Sequence, residues 1–147
     1  MKRILCIVFA ALMCVALVSC GADPTETTNA GQAEATTVDV DLTKLSSTMV
    51  YAEVYNMLVS PDEYIGKLVR MNGVFAYGEG EGRYYFACII SDATACCSQG
   101  IEFVLKDGRK FPDEYPSVGT EITVVGVFDT YYEGTYRYCQ LIDAVME

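Results

Sequence analysis

The chain contains no histidine but seven cysteines, and four of these lie in its second half: Cys88, Cys96, Cys97 and Cys139. Outside the cytoplasm, cysteine thiols pair as disulfides. In an extended strand the adjacent residues Cys96 and Cys97 point to opposite faces, so each would pair with a different one of the other two. Four such cysteines in a small domain therefore predict two disulfides, in one of three connectivities.

Three other uses of the same cysteines stay open. Zinc accepts sets of four cysteines, but the usual Cys-x-x-Cys pairs are missing here, and adjacent residues chelate one ion poorly. A reactive thiol pair would serve redox chemistry, and buried thiols can also be inert core residues. The sequence therefore predicts no required cofactor, and zinc is the metal to consider.

Residue patterns for familiar catalytic sites are missing from the sequence. No histidine can act as a general base, no Gly-x-Ser-x-Gly elbow occurs, and no glycine-rich loop ends in Lys-Ser or Lys-Thr. Paired acids such as Glu79 and Glu81 are as typical of acidic surfaces as of glycosidases. These patterns favour a non-catalytic function.

The N-terminal segment has the pattern of a signal peptide. Lys2 and Arg3 precede an apolar run over residues 4–18, which is shorter than the stretch of about 20 residues that spans a bilayer. The run ends in Leu-Val-Ser-Cys, residues 17–20, which resembles the lipobox of bacterial lipoproteins. The resemblance implies cleavage before Cys20, acylation of that cysteine, and anchoring to the extracytoplasmic side of the cell membrane.

A flexible tether is predicted after this cysteine. The stretch GADPTETTNAGQAEATTVDVDLTKL is rich in threonine, alanine and acidic residues, has no aromatic residue and shows no sustained periodicity. We therefore expect a signal peptide over residues 1–19, the lipidated cysteine and tether over residues 20–45, and a folded domain over residues 46–147.

Helical and then alternating patterns follow in the predicted domain. Apolar residues in STMVYAEVYNML recur at helical spacing, which predicts an amphipathic helix over residues 50–58 that ends before Pro61. The sequence Ser-Pro-Asp-Glu at 60–63 predicts a single turn with a capping box, closed by Gly66. Alternating segments predict strands at 69–75, 83–91, 100–106, 121–129 and 135–145, with turns at 78–82 and 133–134.

Two stretches of the domain are similar to each other: PDEYIGKLVRMNGVF and PDEYPSVGTEITVVGVF. Both contain a turn, a glycine, a strand and then Gly-Val-Phe, and either duplication or convergent turn chemistry accounts for this. In a small Greek-key barrel the first and fourth strands are neighbours, and a glycine midway along each lets it bend.

Residues 50–147 thus resemble the oligonucleotide/oligosaccharide-binding (OB) fold. We expect a mainly β domain: a small five-stranded OB-like Greek-key barrel with a short N-terminal helix. The OB fold commonly carries a helix between strands three and four, where DGRKFPDEYPSVG has room for little more than one turn. The helix at the front of the domain would then take its place.

The OB resemblance implies a ligand surface on strands two and three, flanked by the loops at 78–82 and 129–134. Tyrosine faces beside carboxylates suit a sugar or a cationic group. An alternative is that these residues are edge aromatics among solubilising charges. The candidate ligand-binding residues are Tyr84, Tyr85, Tyr131, Tyr132, Glu79, Glu81, Asp129 and Glu133.

Charge argues against nucleic acid as a partner, because the chain carries 20 acidic and 10 basic side chains and a net charge of −10. The sequence therefore predicts a lipid-anchored module that binds a carbohydrate, peptide or protein. The alternative is a thiol-based metal-handling or redox protein that uses the four cysteines. The sequence Cys-Cys-Ser-Gln-Gly-Ile also resembles sequences in small lipoproteins of anaerobic Gram-positive bacteria, a likeness that implies no activity.

Overall fold

The computed structural model describes residues 37–147. The predicted signal peptide, Cys20 and most of the predicted tether lie outside this range. Within it the fold is mainly β, with one six-stranded mixed sheet and one α-helix. In chain order the elements are β1 (Val40–Asp41), a 3-10 turn (Leu42–Lys44), α1 (Ser47–Val59), a second 3-10 turn (Pro61–Glu63), β2 (Leu68–Gly80), β3 (Arg83–Ser91), β4 (Ser98–Leu105), β5 (Glu121–Glu133) and β6 (Tyr136–Met146).

The predicted helix and the five predicted strands are confirmed as α1 and β2 to β6. The bounds of β3 agree with the prediction, whereas β2 and β5 are longer, at 13 residues each. They are longer because each pairs with two partners along its length. In β2 the first half pairs with β5 and the second half with β3, and Val74 has a partner on both.

The strand pairings link distant parts of the chain. Strand β2 is antiparallel to β3 and to β5, β3 is antiparallel to β4, β4 is parallel to β6, and β6 is antiparallel to β5. Strand β1 pairs parallel to the start of β2. The predicted adjacency of the first and fourth long strands is therefore confirmed, as the pairing of β2 with β5.

Two glycines that the internal similarity singled out lie where the backbone approaches a neighbour closely. A Cβ atom added at Gly73 would be 2.5 Å from the carbonyl oxygen of Ile89 and 2.8 Å from the sulfur of Cys88. One added at Gly126 would be 2.9 Å from the Cβ of Leu141. Neither site has room for a side chain, which is a packing reason for glycine at both positions.

Two local predictions differ from the structure. The side chain of Ser60 makes no capping hydrogen bond; its carbonyl oxygen accepts the N–H of Glu63 instead, at 3.2 Å, because the segment forms only one 3-10 turn. The predicted start of the domain at residue 46 also differs, because the fold includes earlier residues. Strand β1 and the buried side chain of Leu42 belong to the predicted tether, and both contact the folded domain.

The hydrophobic core joins the sheet to α1. Val54 and Met57 of the helix are fully buried in the same cluster as residues of β2 and β5. The hydroxyl of Tyr64 donates to Glu53 of α1 at 2.8 Å, and its ring meets Phe128 edge-on at 6.0 Å. Residues 106–120, between β4 and β5, form turns and no helix. Within residues 37–147 no helix combines the length and the apolar character needed to cross a membrane.

Candidate functional site

Tight turns bring the ends of two hairpins together. The β2–β3 turn consists of Glu81 and Gly82, whose φ angles of 53° and 79° are those of the twisted two-residue turn that hairpins prefer. The β5–β6 turn contains Gly134, with φ of 58°. Arg83 leaves the first turn and Glu133 enters the second, and the guanidinium of Arg83 donates to the carboxylate of Glu133.

Side chains around this ion pair form a small cluster between the hairpins. The hydroxyl of Tyr85 donates to the same oxygen of Glu133 at 2.9 Å. The guanidinium carbon of Arg83 lies 4.3 Å from the ring centroid of Tyr85 and 5.4 Å from that of Tyr131, both within cation–π range. We call Arg83, Tyr85, Glu102, Tyr131 and Glu133 the tyrosine–arginine cluster.

Tyr131 links the cluster to the neighbouring strands. Its hydroxyl donates to Glu102 of β4 at 2.7 Å, and its ring stacks on Tyr138 of β6 at 5.4 Å. Burial and this hydrogen bond to Glu102 raise the pKa of Tyr131 above its ordinary value, so the phenol stays neutral. The cluster therefore combines flat neutral rings, two carboxylates and one cation.

The structure brings together three of the eight predicted ligand-binding residues: Tyr85, Tyr131 and Glu133. Tyr84 lies on the other face of β3, because successive strand residues point to opposite faces, and its ring contacts Phe111 at 4.6 Å. Within residues 37–147, the other four predicted residues form no side-chain hydrogen bond or ion pair with the cluster. They are Glu79, Glu81, Asp129 and Tyr132.

Three residues of this surface were missed by the sequence reasoning: Arg83, Glu102 and Tyr138. Arg83 stands two positions before Tyr85, so strand alternation alone places both on one face. Glu102 and Tyr138 give no comparable signal. Their positions depend on the registers that set Glu102 opposite Gln140 and Tyr131 opposite Tyr138.

A second aromatic group lies on the inner face of the β2–β3 hairpin. The rings of Phe86 and Tyr115 stack at 4.2 Å, and Phe111 meets Tyr77 at 4.7 Å. The segment between β4 and β5 thus packs over the inner face of the hairpin. Tyr77 and Tyr84 remain 44% and 46% exposed at its edge.

The four cysteines of the described chain occupy three different environments. Cys88 is fully buried in the core, where burial raises the pKa of its thiol to about 12. Cys139 is half-buried on β6, with its sulfur 3.9 Å from the carbonyl oxygen of Met57. Cys96 and Cys97 are exposed between β3 and β4. All four are free thiols in the structure, which contains neither of the two disulfides predicted from the sequence.

Cys96 and Cys97 would point to opposite faces in an extended strand, but they lie in the turn between β3 and β4, so that condition is not met. The carboxylate of Asp92 accepts the N–H of Cys96 at 3.0 Å and that of Cys97 at 3.4 Å. The two sulfurs consequently lie 3.5 Å apart. Within residues 37–147, these three residues form the one group of three or more potential metal ligands that lie together, and it includes neither Cys88 nor Cys139.

A cavity of about 540 Å³ lies elsewhere, between the N-terminal segment and the sheet. Its lining includes Leu42, Val50, Arg70, Asn72 and Thr123. None of the predicted ligand-binding residues lines it, so the cavity and the tyrosine–arginine cluster are separate features.

Comparison of the chain with protein-family models found no match, and comparison with curated proteins found none.

Proposed function

We propose that the chain is a membrane-anchored, extracytoplasmic lipoprotein whose folded part is an OB-like barrel that acts as a non-catalytic binding module. The anchoring rests on the lipobox-like residues 17–20 and the preceding apolar run. The barrel is supported by the sequence of strand pairings, which runs from β2 through β3, β4, β6 and β5 and returns to β2. A closed circuit of strands is the defining feature of a barrel.

The tyrosine–arginine cluster is the observation that carries the binding function. In the OB fold, ligands lie on strands two and three between the first-to-second and fourth-to-fifth strand loops. Here these loops are the two hairpin turns, and the cluster lies between the hairpin ends. Its residues come from three strands, β3, β4 and β5, so the surface depends on the folded barrel.

The chemistry of this surface favours a carbohydrate with hydroxyl or amino groups. Arg83 is paired with the carboxylate of Glu133 and its guanidinium lies over the ring of Tyr85, so its charge already has a partner within the cluster. Tyr138 remains 37% exposed beside Tyr131, which provides a ring face for a sugar or a cation. Glu102 and Glu133 then supply carboxylate acceptors for hydroxyl or ammonium groups.

A titration of the full chain, purified in detergent, tests this function. The probes are a chitosan oligomer, which carries amino groups, and a chitin oligomer of equal length, which carries acetamides. We expect saturable binding that favours chitosan and is weakened several-fold by Tyr138→Ala and by Glu102→Gln. The matched control is Tyr55→Ala, which removes a tyrosine of α1 that is 55% exposed and far from these strands in the sequence.

Binding of neither oligomer by the wild-type chain would overturn the carbohydrate function. An equal loss of affinity in Tyr55→Ala and Tyr138→Ala would show that the observed binding does not take place at this surface. Saturable binding of a lysine-rich peptide in place of both oligomers would instead identify a peptide-binding module.

A further inference from the structure

In the turn between β3 and β4, two thiols and one carboxylate lie close together, and none of them belongs to the proposed carbohydrate surface. From these three side chains we propose a site for a zinc-class divalent cation, bound by one oxygen of Asp92 and the sulfurs of Cys96 and Cys97. The site goes beyond the proposed binding function and is independent of it. It also differs from the four-cysteine site considered from the sequence, because Cys88 and Cys139 take no part and because the turn brings the adjacent sulfurs of Cys96 and Cys97 to 3.5 Å.

Two of the three distances between the ligand atoms agree with tetrahedral zinc geometry, and the third lies below 4.8 Å. With zinc bonds of about 2.3 Å to sulfur and about 2.0 Å to oxygen, tetrahedral angles place two sulfurs about 3.8 Å apart and a sulfur about 3.5 Å from an oxygen. The sulfurs of Cys96 and Cys97 lie 3.5 Å apart, and the Cys96 sulfur lies 3.5 Å from Oδ2 of Asp92. All three ligand atoms lie within 4.8 Å of one another.

The two oxygens of the Asp92 carboxylate make different contacts in the turn. Oδ1 accepts the backbone N–H groups of Cys96 and Cys97, which holds the turn, while Oδ2 faces the Cys96 sulfur; the Thr94 hydroxyl lies 3.2 Å from Oδ1 and 3.1 Å from Oδ2. Zinc accepts carboxylate oxygens as ligands beside cysteine thiolates.

The two thiols must lose their protons when the cation binds. A divalent cation displaces one proton from each thiol, and the complex of two thiolates, one carboxylate and one cation carries one negative charge. Three protein ligands leave the fourth tetrahedral position open to water or to an outside ligand.

Cobalt is the probe for this site, because Co²⁺ takes zinc positions and thiolate ligation gives it a charge-transfer absorption band. The full chain is purified in detergent, reduced with a phosphine and titrated with Co²⁺, and Zn²⁺ is then added. We expect one equivalent of Co²⁺ to give the thiolate band and Zn²⁺ to abolish it. Cys96→Ser and Cys97→Ser should each lower cobalt affinity by at least about tenfold and reduce the band, because each removes a ligand.

Two further variants separate ligation from folding. Asp92→Asn keeps an oxygen that can accept the backbone N–H groups but removes the charge, so we expect weaker cobalt binding with the thiolate band retained. Cys139→Ser is the matched cysteine control and should bind cobalt like the wild type. The metal-free thermal midpoints of the Cys96 and Cys97 variants should equal that of the wild type, since both residues are exposed.

Three results would overturn the metal site. The first is the absence of a thiolate band in the reduced wild-type chain. The second is a band that survives unchanged in both Cys96→Ser and Cys97→Ser. The third is a mass two hydrogens below the thiol form that persists under phosphine and maps to a bridge between Cys96 and Cys97, which would assign the pair to redox chemistry.

Discussion

Arg83 and Glu133, 50 positions apart in the sequence, form an ion pair between the ends of two hairpins. The Arg83 side chain is 52% exposed and that of Glu133 25% exposed, so solvent and salt screen the pair. Its position still matters, because the same oxygen of Glu133 accepts the hydroxyl of Tyr85.

A double-mutant cycle with Arg83→Gln and Glu133→Gln measures this pair. We expect each single variant to lower the urea midpoint slightly, and the coupling between them to decrease as salt rises. Arg109→Gln is the control, since Arg109 pairs with Asp107 inside one turn and joins no hairpins. Coupling that is absent at low salt, or that does not change with salt, would contradict the prediction.

Gly73 and Gly126 should tolerate no side chain. Gly73→Ala and Gly126→Ala place a Cβ within 2.5 Å and 2.9 Å of neighbouring atoms, so each should destabilise the domain by about 1–3 kcal/mol or more. Gly78→Ala is the matched control in β2, because a Cβ there has no atom within 4 Å. Urea unfolding measures all three, and equal stability of Gly73→Ala and Gly78→Ala would refute the packing argument.

The thiols should differ sharply in their reaction with iodoacetamide. Cys96 and Cys97 are exposed and should be modified in the folded chain, whereas Cys88 should react only after unfolding, because it is fully buried. Mass mapping of the alkylated chain checks the order. Intact mass before alkylation also tests the disulfides predicted from the sequence, since each bridge lowers the mass by two hydrogens.

Alkaline pH should destabilise the domain through Cys88. The unfolded thiol has the ordinary pKa of 9.0, whereas the folded one has a pKa of about 12 because it is buried. Above pH 9 the unfolded chain releases this proton and the folded chain retains it, so the stabilisation present below pH 9 is lost as pH rises towards 12.

The variant Cys88→Ala isolates this contribution. It should flatten the decline of unfolding free energy between pH 9 and 12, as followed by urea unfolding at each pH. Part of the decline should remain, because burial and Glu53 also raise the pKa of Tyr64 to about 12. An alkaline slope equal to that of the wild type would show that Cys88 does not titrate differently in the two states.

Lipid anchoring predicts the behaviour of Cys20→Ala in cells. Without the acylated cysteine, the precursor should remain unprocessed and should incorporate no labelled palmitate. Gel mobility and label on the immunoprecipitated chain measure both effects. A Cys96→Ala chain is the control and should be labelled like the wild type. Label on the Cys20→Ala chain would exclude this residue as the acylation site.

Local sequence patterns determined the elements of this protein. The period of the apolar residues located α1 and the five long strands, because side-chain burial repeats every 3.6 residues in a helix and every two in a strand. The same alternation would have placed Arg83 with Tyr85 and separated Tyr84 from them. The glycines at positions 73 and 126 were also recognisable from the sequence, since the two stretches around them are similar.

Tertiary structure decided which of these residues meet. Glu102 reaches Tyr131 only because β4 pairs parallel with β6, and a strand's own pattern does not specify its partner or register. Cys96 and Cys97 converge because the carboxylate of Asp92 holds a turn where an extended strand would have separated the sulfurs. The first outcome depends on a contact between residues that are distant along the chain, and the second on a hydrogen bond within one turn. Neither kind of contact leaves a periodic signal in the sequence.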